Sequence, residues 1–372
     1  MHSGHEERKP AMVRWLLSVL VLAFALPVSA GLRTGGDFLK IPIGAEGASL
    51  GQAYTASSEG VDALNWNPAG LSSVPAYLDN PSVGLSLSHQ EYLVDNNLDH
   101  FGMVLAPDAV RRTAVGLNVV RLSYGTQERR TTDRQRIGTF DSYDLSVGLS
   151  AARRISGFSL GGQFKLIREQ LAGFSAIGYA VDMGVQGPGP FNRMTFGLAV
   201  QNLGPRMVFV QESFQLPLTI SGGMSYKVTG PLSVLMDVRS RPYQNQLTVD
   251  TGVEFNASKT VALRAGYLQK ISEAVRNSQA SETNRGNMFG MAGLAAGLGM
   301  HFKQISLDYA ITPFGELGNA QTLTISTWFG TGRKAVPVRD LEDVESSETN
   351  TEDDGQRLIL PLEHERWWDD MR

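Results

Sequence analysis

The chain has 372 residues, 42% hydrophobic and 19% charged, with 40 glycines and no cysteine. A formal charge of −4 leaves no basic footprint for nucleic acid. The lack of cysteine excludes disulfide frameworks, thiol nucleophiles and Cys-ligated zinc.

Residues 1–30 read as a secretory signal. Arg14 supplies the positive region, Trp15 to Leu26 the apolar core, and Val28-Ser29-Ala30 a small-residue cleavage site. The apolar run falls short of the roughly 20 residues a membrane-spanning helix needs. Residues 31–82 are rich in Gly, Ala, Asn and Pro and lack sustained alternation, which predicts a compact, turn-rich segment.

From residue 83 the pattern changes to a period of two. Tyr143, Leu145, Val147 and Leu149 alternate with Asp144, Ser146, Gly148 and Ser150, and Ile177, Tyr179, Val181 and Met183 repeat the scheme. Fourteen strands are predicted, at 83–89, 98–106, 112–122, 140–154, 158–168, 176–186, 192–201, 217–227, 231–240, 246–256, 260–268, 289–302, 304–311 and 321–329. In the segment 289–302 the parity slips, which suggests a bulge near Gly293. Gaps after odd-numbered strands span 5 to 20 residues and those after even-numbered ones 1 to 5. Short turns at one end and long loops at the other are the signature of an outer-membrane barrel.

The opposite parity carries Lys165, Asp182, Asp237, Arg239, Asp250, Glu254, Arg264 and Asp308 among Gly, Ser and Thr. A lysine or arginine at the lipid midplane costs about 2–4 kcal/mol, so these charges belong to a lumen. The prediction is an all-β, fourteen-stranded antiparallel transmembrane β-barrel over 83–330, embedded in outer-membrane lipid with both termini periplasmic. Trp328-Phe329 is expected at an interface girdle.

Residues 331–372 are strongly acidic, with LEDVESSETNTEDDGQ reading as solvated linker. Leu358, Ile359, Leu360, Trp367 and Trp368 then bring hydrophobicity back. They fit either incidental apolar residues in a disordered tail or a docking peptide for a periplasmic partner.

Three stretches resemble the PorV/PorQ family, which belongs with the FadL-like barrels. They are residues 38–71, Asn202-Leu203-Gly204-Pro205 with the run to Tyr226, and Asp308-Tyr309 through to Phe329-Gly330. The most specific piece is Asn65-Trp66-Asn67-Pro68-Ala69-Gly70-Leu71. The likeness spans about residues 31–330, and the tail beyond departs from the family's pattern. It implies an N-terminal segment folded into the lumen as a plug. It also implies a role in type IX secretion, with outer loops binding secreted cargo and secretion or attachment machinery. On their own terms the two asparagines suit Asx-type turns and Pro68 fixes φ, a structural role for the motif.

The loops that could hold a protein partner are the arginine-rich 123–139, then 202–216 with Met207, Val208, Phe209, Val210 and Phe214, and 269–288. Rival readings are FadL-like passage of a hydrophobic small molecule and a structural envelope protein. The six histidines show no ligand spacing, so neither metal nor cofactor is expected. Gly157-Phe158-Ser159-Leu160-Gly161 has the spacing of a nucleophile elbow but straddles a turn and a strand, and no catalysis is expected.

Overall fold

A computed structural model describes residues 34–73, 78–94, 96–108, 113–133, 135–271, 293–314 and 318–332. The predicted tail contacts Leu358 to Trp368 and most of the 269–288 loop lie outside these residues.

Among the described residues there are sixteen strands: β1 (Leu78–Glu91), β2 (Asn97–Asp108), β3 (Thr113–Arg130), β4 (Arg136–Ile155), β5 (Phe158–Leu171), β6 (Phe174–Pro188), β7 (Met194–Leu203), β8 (Met207–Phe209), β9 (Glu212–Phe214), β10 (Thr219–Lys227), β11 (Leu232–Arg241), β12 (Gln246–Asn256), β13 (Val261–Lys270), β14 (Leu294–Phe302), β15 (Ile305–Pro313) and β16 (Asn319–Gly332). Fourteen form one closed antiparallel barrel in which β1 pairs with both β2 and β16, while β8 and β9 make a separate hairpin between β7 and β10. Closure leaves no strand edge unpaired, which a wall in hydrocarbon requires. The period of two sends one parity inward and the other outward. Leu149 is 65% exposed and Ile177 73%, whereas their neighbours Ser150 and Ala176 are buried.

At the base of the barrel the strands turn within two to five residues, and here β1 begins and β16 ends. The opposite end, the mouth, carries the long connections 204–218 and 271–293. Much of the predicted loop 123–139 is strand instead, because β3 and β4 run on past the wall as a hairpin exposed on both faces. Their register shifts between Ser123 and Thr126, next to Gly125 at φ 68°, where the hairpin leaves the barrel. No bulge appears from Gly293 onward among the described residues: strand β14 starts at Leu294, and its register is unbroken with β13 from Leu294 to Met300 and with β15 from Ala296 to Phe302. Strand β1 starts at Leu78, so the chain joins the wall before residue 83. Trp328 is not a girdle residue: it points inward and packs with Val61, Leu64 and Leu71, while Phe329 faces out.

A fourteen-stranded ring is wider than the eight-stranded one that wall side chains alone can fill. Its inner face is mostly Gly, Ser and Ala, and residues 34–73 occupy the space. They touch β1 and β16, β5 and β6, and β11 to β15 through contacts on the inward parity, which only a peptide inside the ring can do. The segment enters at the mouth, where Gly35 N–H donates to the Gln215 carbonyl at 3.0 Å. It reaches the base at Ser72, whose hydroxyl donates to that of Ser159 at 2.8 Å. Thr34 and the end of β16 therefore lie at opposite ends of the barrel; the termini themselves, expected on one side, lie outside the described residues.

Candidate functional site: the lumenal segment and the barrel mouth

The segment is built from short pieces: a 3-10 turn at Asp37–Lys40, a helical turn at Ala45–Ser49, another at Ala63–Trp66 and a second 3-10 turn at Pro68–Ser72. None is long enough to be stable alone, so its shape comes from what it touches. The Asn65–Gly70 motif is its hub. Asn67 caps the last turn, its Oδ1 accepting from Ala69 N–H at 3.2 Å, and Pro68 occupies the first position, where its missing N–H costs nothing. Asn67 Nδ2 donates to Thr55 O at 2.9 Å and to Val185 O on β6 at 3.2 Å. Facing it on β6 is Gly184, where any Cβ would overlap Asn67 Oδ1.

Asn65 makes side-chain bonds to the wall instead of an Asx turn. Its Nδ2 lies 3.0 Å from His100 Nε2, and its Oδ1 accepts from Asn118 Nδ2 at 2.8 Å. Trp66 donates from Nε1 to Ile43 O at 2.9 Å, meets Tyr54 edge-on, and lies under the Arg239 guanidinium at 5.6 Å. Ala69 and Gly70 are buried, and a side chain at Gly70 would strike Ser58 O. The motif is thus an internal joint.

The lumenal charges predicted from parity anchor the segment to the wall. Arg264 on β13 is the largest such centre, binding Glu254 at 2.8 Å, Asp308 at 2.6 Å and Glu46 of the segment at 3.1 Å. It reaches Asp308 across β14, passing Gly299, where a Cβ would sit 2.8 Å from Arg264 Nη1. On β11, Asp237 accepts from the backbone N–H groups of Tyr54 and Thr55 at 3.0 and 2.8 Å. Arg239 beside it donates to Gln52 O at 2.8 Å and pairs with Asp250 at 3.3 Å. Lys165 and Asp182 pair at 2.8 Å, and Asp182 accepts from Asn202 N–H at 2.7 Å. That holds the kink where the β6–β7 register shifts and Asn202 adopts φ 60°.

Asp62 also lies within the field of Arg264, so four carboxyls surround one guanidinium.

At the mouth the lining changes from polar to apolar. Phe38, Ile41 and Ile43 of the segment meet Leu98, Val120, Leu122 and Ile167 of the wall, with Met207 and Leu216 from the 204–218 connection. Glu169 secures this stretch by accepting from Gly36 N–H at 2.5 Å. The predicted loop contacts separate here. Met207 is 1% exposed and rests on Gly178, so it is a lining residue and not a free contact. Phe209 is half-buried against the same cluster, and Phe214 is half-buried beside Gly35. Val208 and Val210 remain open, at 56% and 60%. The reason is the β8–β9 hairpin, which turns alternate residues of the connection back into the barrel.

Ser159 of the G-x-S-x-G match sits on a strand after the Ser156–Gly157 turn, away from any strand-to-helix elbow. Among the described residues no group of three or more His, Cys, Asp or Glu side chains could hold a metal ion. Sequence reasoning missed Phe38, Ile41 and Ile43 as lining residues, although four of the seven residues of FLKIPIG are large and apolar. It also missed Glu46 and Asp62, for which only burial in the fold provides a signal.

No family model matches the chain, and no curated protein matches it in sequence. Solved structures match its fold. The toluene transporter TodX of P. putida is 11% identical, with 77% of this chain and 99% of that one covered at a TM-score of 0.50. CymD, a monoaromatic hydrocarbon channel, is also 11% identical, covering 78% and 98% at a TM-score of 0.50. A Pseudomonas aeruginosa FadL homologue is 11% identical, covering 81% and 99% at a TM-score of 0.50. The likeness is one of fold, a closed β-barrel shared along most of each chain.

Proposed function

We propose that this protein is a FadL-type channel that takes up a small hydrophobic molecule at its mouth. The observation that carries the reading is the apolar cluster around Phe38, Ile41 and Met207, the one that gathers the segment, the wall and the 204–218 connection at the mouth. A hydrophobic solute needs an apolar lining to leave water, and this cluster is where the entrance provides one. Two sides of it, residues 38–43 and the β8–β9 hairpin, are not wall strands, so they can shift without opening the ring. Two of the proteins that share the fold are described as a toluene transporter and a monoaromatic hydrocarbon channel. The reading includes no chemical step and no bound cofactor.

Uptake of labelled toluene and of a long-chain fatty acid tests it, in cells whose own channels for these solutes are deleted. Expression of the protein should raise uptake of at least one. Ile41→Asp, placing a charge in the apolar cluster, should return uptake to background while the barrel still inserts. No gain on expression would sink the reading.

A protein-handling role of the PorV/PorQ kind is the second reading. It is favoured by the β3–β4 hairpin, open on both faces, and by Val208 and Val210 beside the mouth. It expects deletion of the gene to trap secreted proteins in the periplasm with solute uptake unchanged. The same reading would give the tail around Trp367 and Trp368 a periplasmic partner.

A further inference from the structure

The outward face of the wall carries one feature that neither reading uses. Arg121 on β3 and Arg168 on β5 each lean over the ring of Tyr143 on β4, at 5.5 and 6.0 Å from its centroid. The register sets Arg121 opposite Leu145 and Leu145 opposite Arg168, so the two arginines share one row, about 10 Å apart at the backbone. The next row toward the base is Val119, Val147 and Leu166, and the one after it Leu117, Leu149 and Phe164. Arg153 ends the apolar face at the base, opposite Leu160. The eight residue steps from Leu160 to Arg168 span about 26 Å along the strand, or somewhat less across a tilted wall. An apolar band is about 25 Å tall, so the arginine row lies at its mouth-side rim, where headgroups begin.

Both guanidiniums are exposed, and neither has a carboxylate partner among the described residues. Arg168 donates to Gln170 Oε1 at 3.1 Å. The carboxylates nearby are engaged elsewhere. Asp99, opposite Arg121 on β2, lies 2.7 Å from His89 Nδ1, and Glu169 turns inward to Gly36. Stacking on Tyr143 holds the two cations in place before any ligand arrives, and guanidinium forks match phosphate oxygens bidentately. We infer that Arg121, Tyr143 and Arg168 form a clamp for the phosphate of an anionic lipid in the leaflet at the mouth end.

Native mass spectrometry of the full chain in detergent tests this, titrating phosphatidylglycerol and phosphatidylcholine of the same acyl chains. The protein should prefer phosphatidylglycerol. Arg121→Gln with Arg168→Gln should weaken its binding about tenfold or more. Arg121→Lys with Arg168→Lys should retain part of it. Arg129→Gln with Arg130→Gln, which removes equal charge from the hairpin above the wall, should stay within about twofold of the unmutated protein. A heat-dependent gel shift confirms that each variant is folded. Unchanged binding in the Arg121/Arg168 variant, equal loss in both glutamine variants, or equal binding of the two lipids would overturn the assignment. So would displacement of the lipid by millimolar inorganic phosphate, which would make the ligand a soluble ion.

Discussion

Arg264→Met is expected to destabilise the folded barrel by about 3–5 kcal/mol, the usual effect of removing one partner from a buried charge cluster. Glu254, Asp308 and Glu46 would then face one another with no cation between them. The methionine fills similar volume, so the loss reports charge more than packing. Urea unfolding in detergent, followed by tryptophan fluorescence, measures it. Glu46→Gln in the Arg264→Met background should recover part of the loss, giving a coupling energy for wall and segment. A midpoint within about 0.5 kcal/mol of the unmutated protein would mean that the cluster is solvated and the anchor unimportant.

The second large effect is expected at Gly184. Adding one methyl there, in Gly184→Ala, puts a carbon onto Asn67 Oδ1, with Pro68 Cδ 3.0 Å away. Overpacking of this kind costs about 1–3 kcal/mol, and each Asn67 bond broken adds about 1 kcal/mol. Since Asn67 joins the Thr55 carbonyl, the β6 backbone and the last turn, the segment should shift as a unit. Planar-bilayer recordings should show ion conductance well above that of the unmutated protein, and trypsin should cut at Lys40. Asn67→Gly in the same chain restores room but forfeits the same three bonds, so closure should return only in part. Gly184→Ala with the conductance of the unmutated protein would show that the joint does not hold the lumen shut.

All fourteen wall strands were legible in the sequence, because lipid outside and a polar lumen inside impose a strict two-residue period on each of them. The same period placed Lys165, Asp182, Asp237, Arg239, Asp250 and Arg264 on the inner face before their partners were known. Partnership itself was not legible. Glu46 and Arg264 are 218 positions apart, and nothing local to either names the other. Trp328 misled because an aromatic at a strand end suits a girdle, whereas its parity, shared with Thr322 and Thr324, already pointed inward. Met207 could not be assigned because three-residue strands are too short to display a period. The candidate site was legible as a motif at Asn65–Gly70 and hidden as an apolar cluster. Its members come from the segment, the barrel and a connection, three stretches that only the closed ring brings together.

The path of residues 34–73 also bears on assembly order. The stretch runs from mouth to base, passes directly into β1, and is enclosed when β16 pairs with β1. Threading it afterward would drag Glu46, Asp62 and Lys40 through a finished ring. Wrapping avoids this, because the sheet can grow around the peptide while one seam stays open. Closing the β1–β16 seam last would then enclose the peptide without any threading.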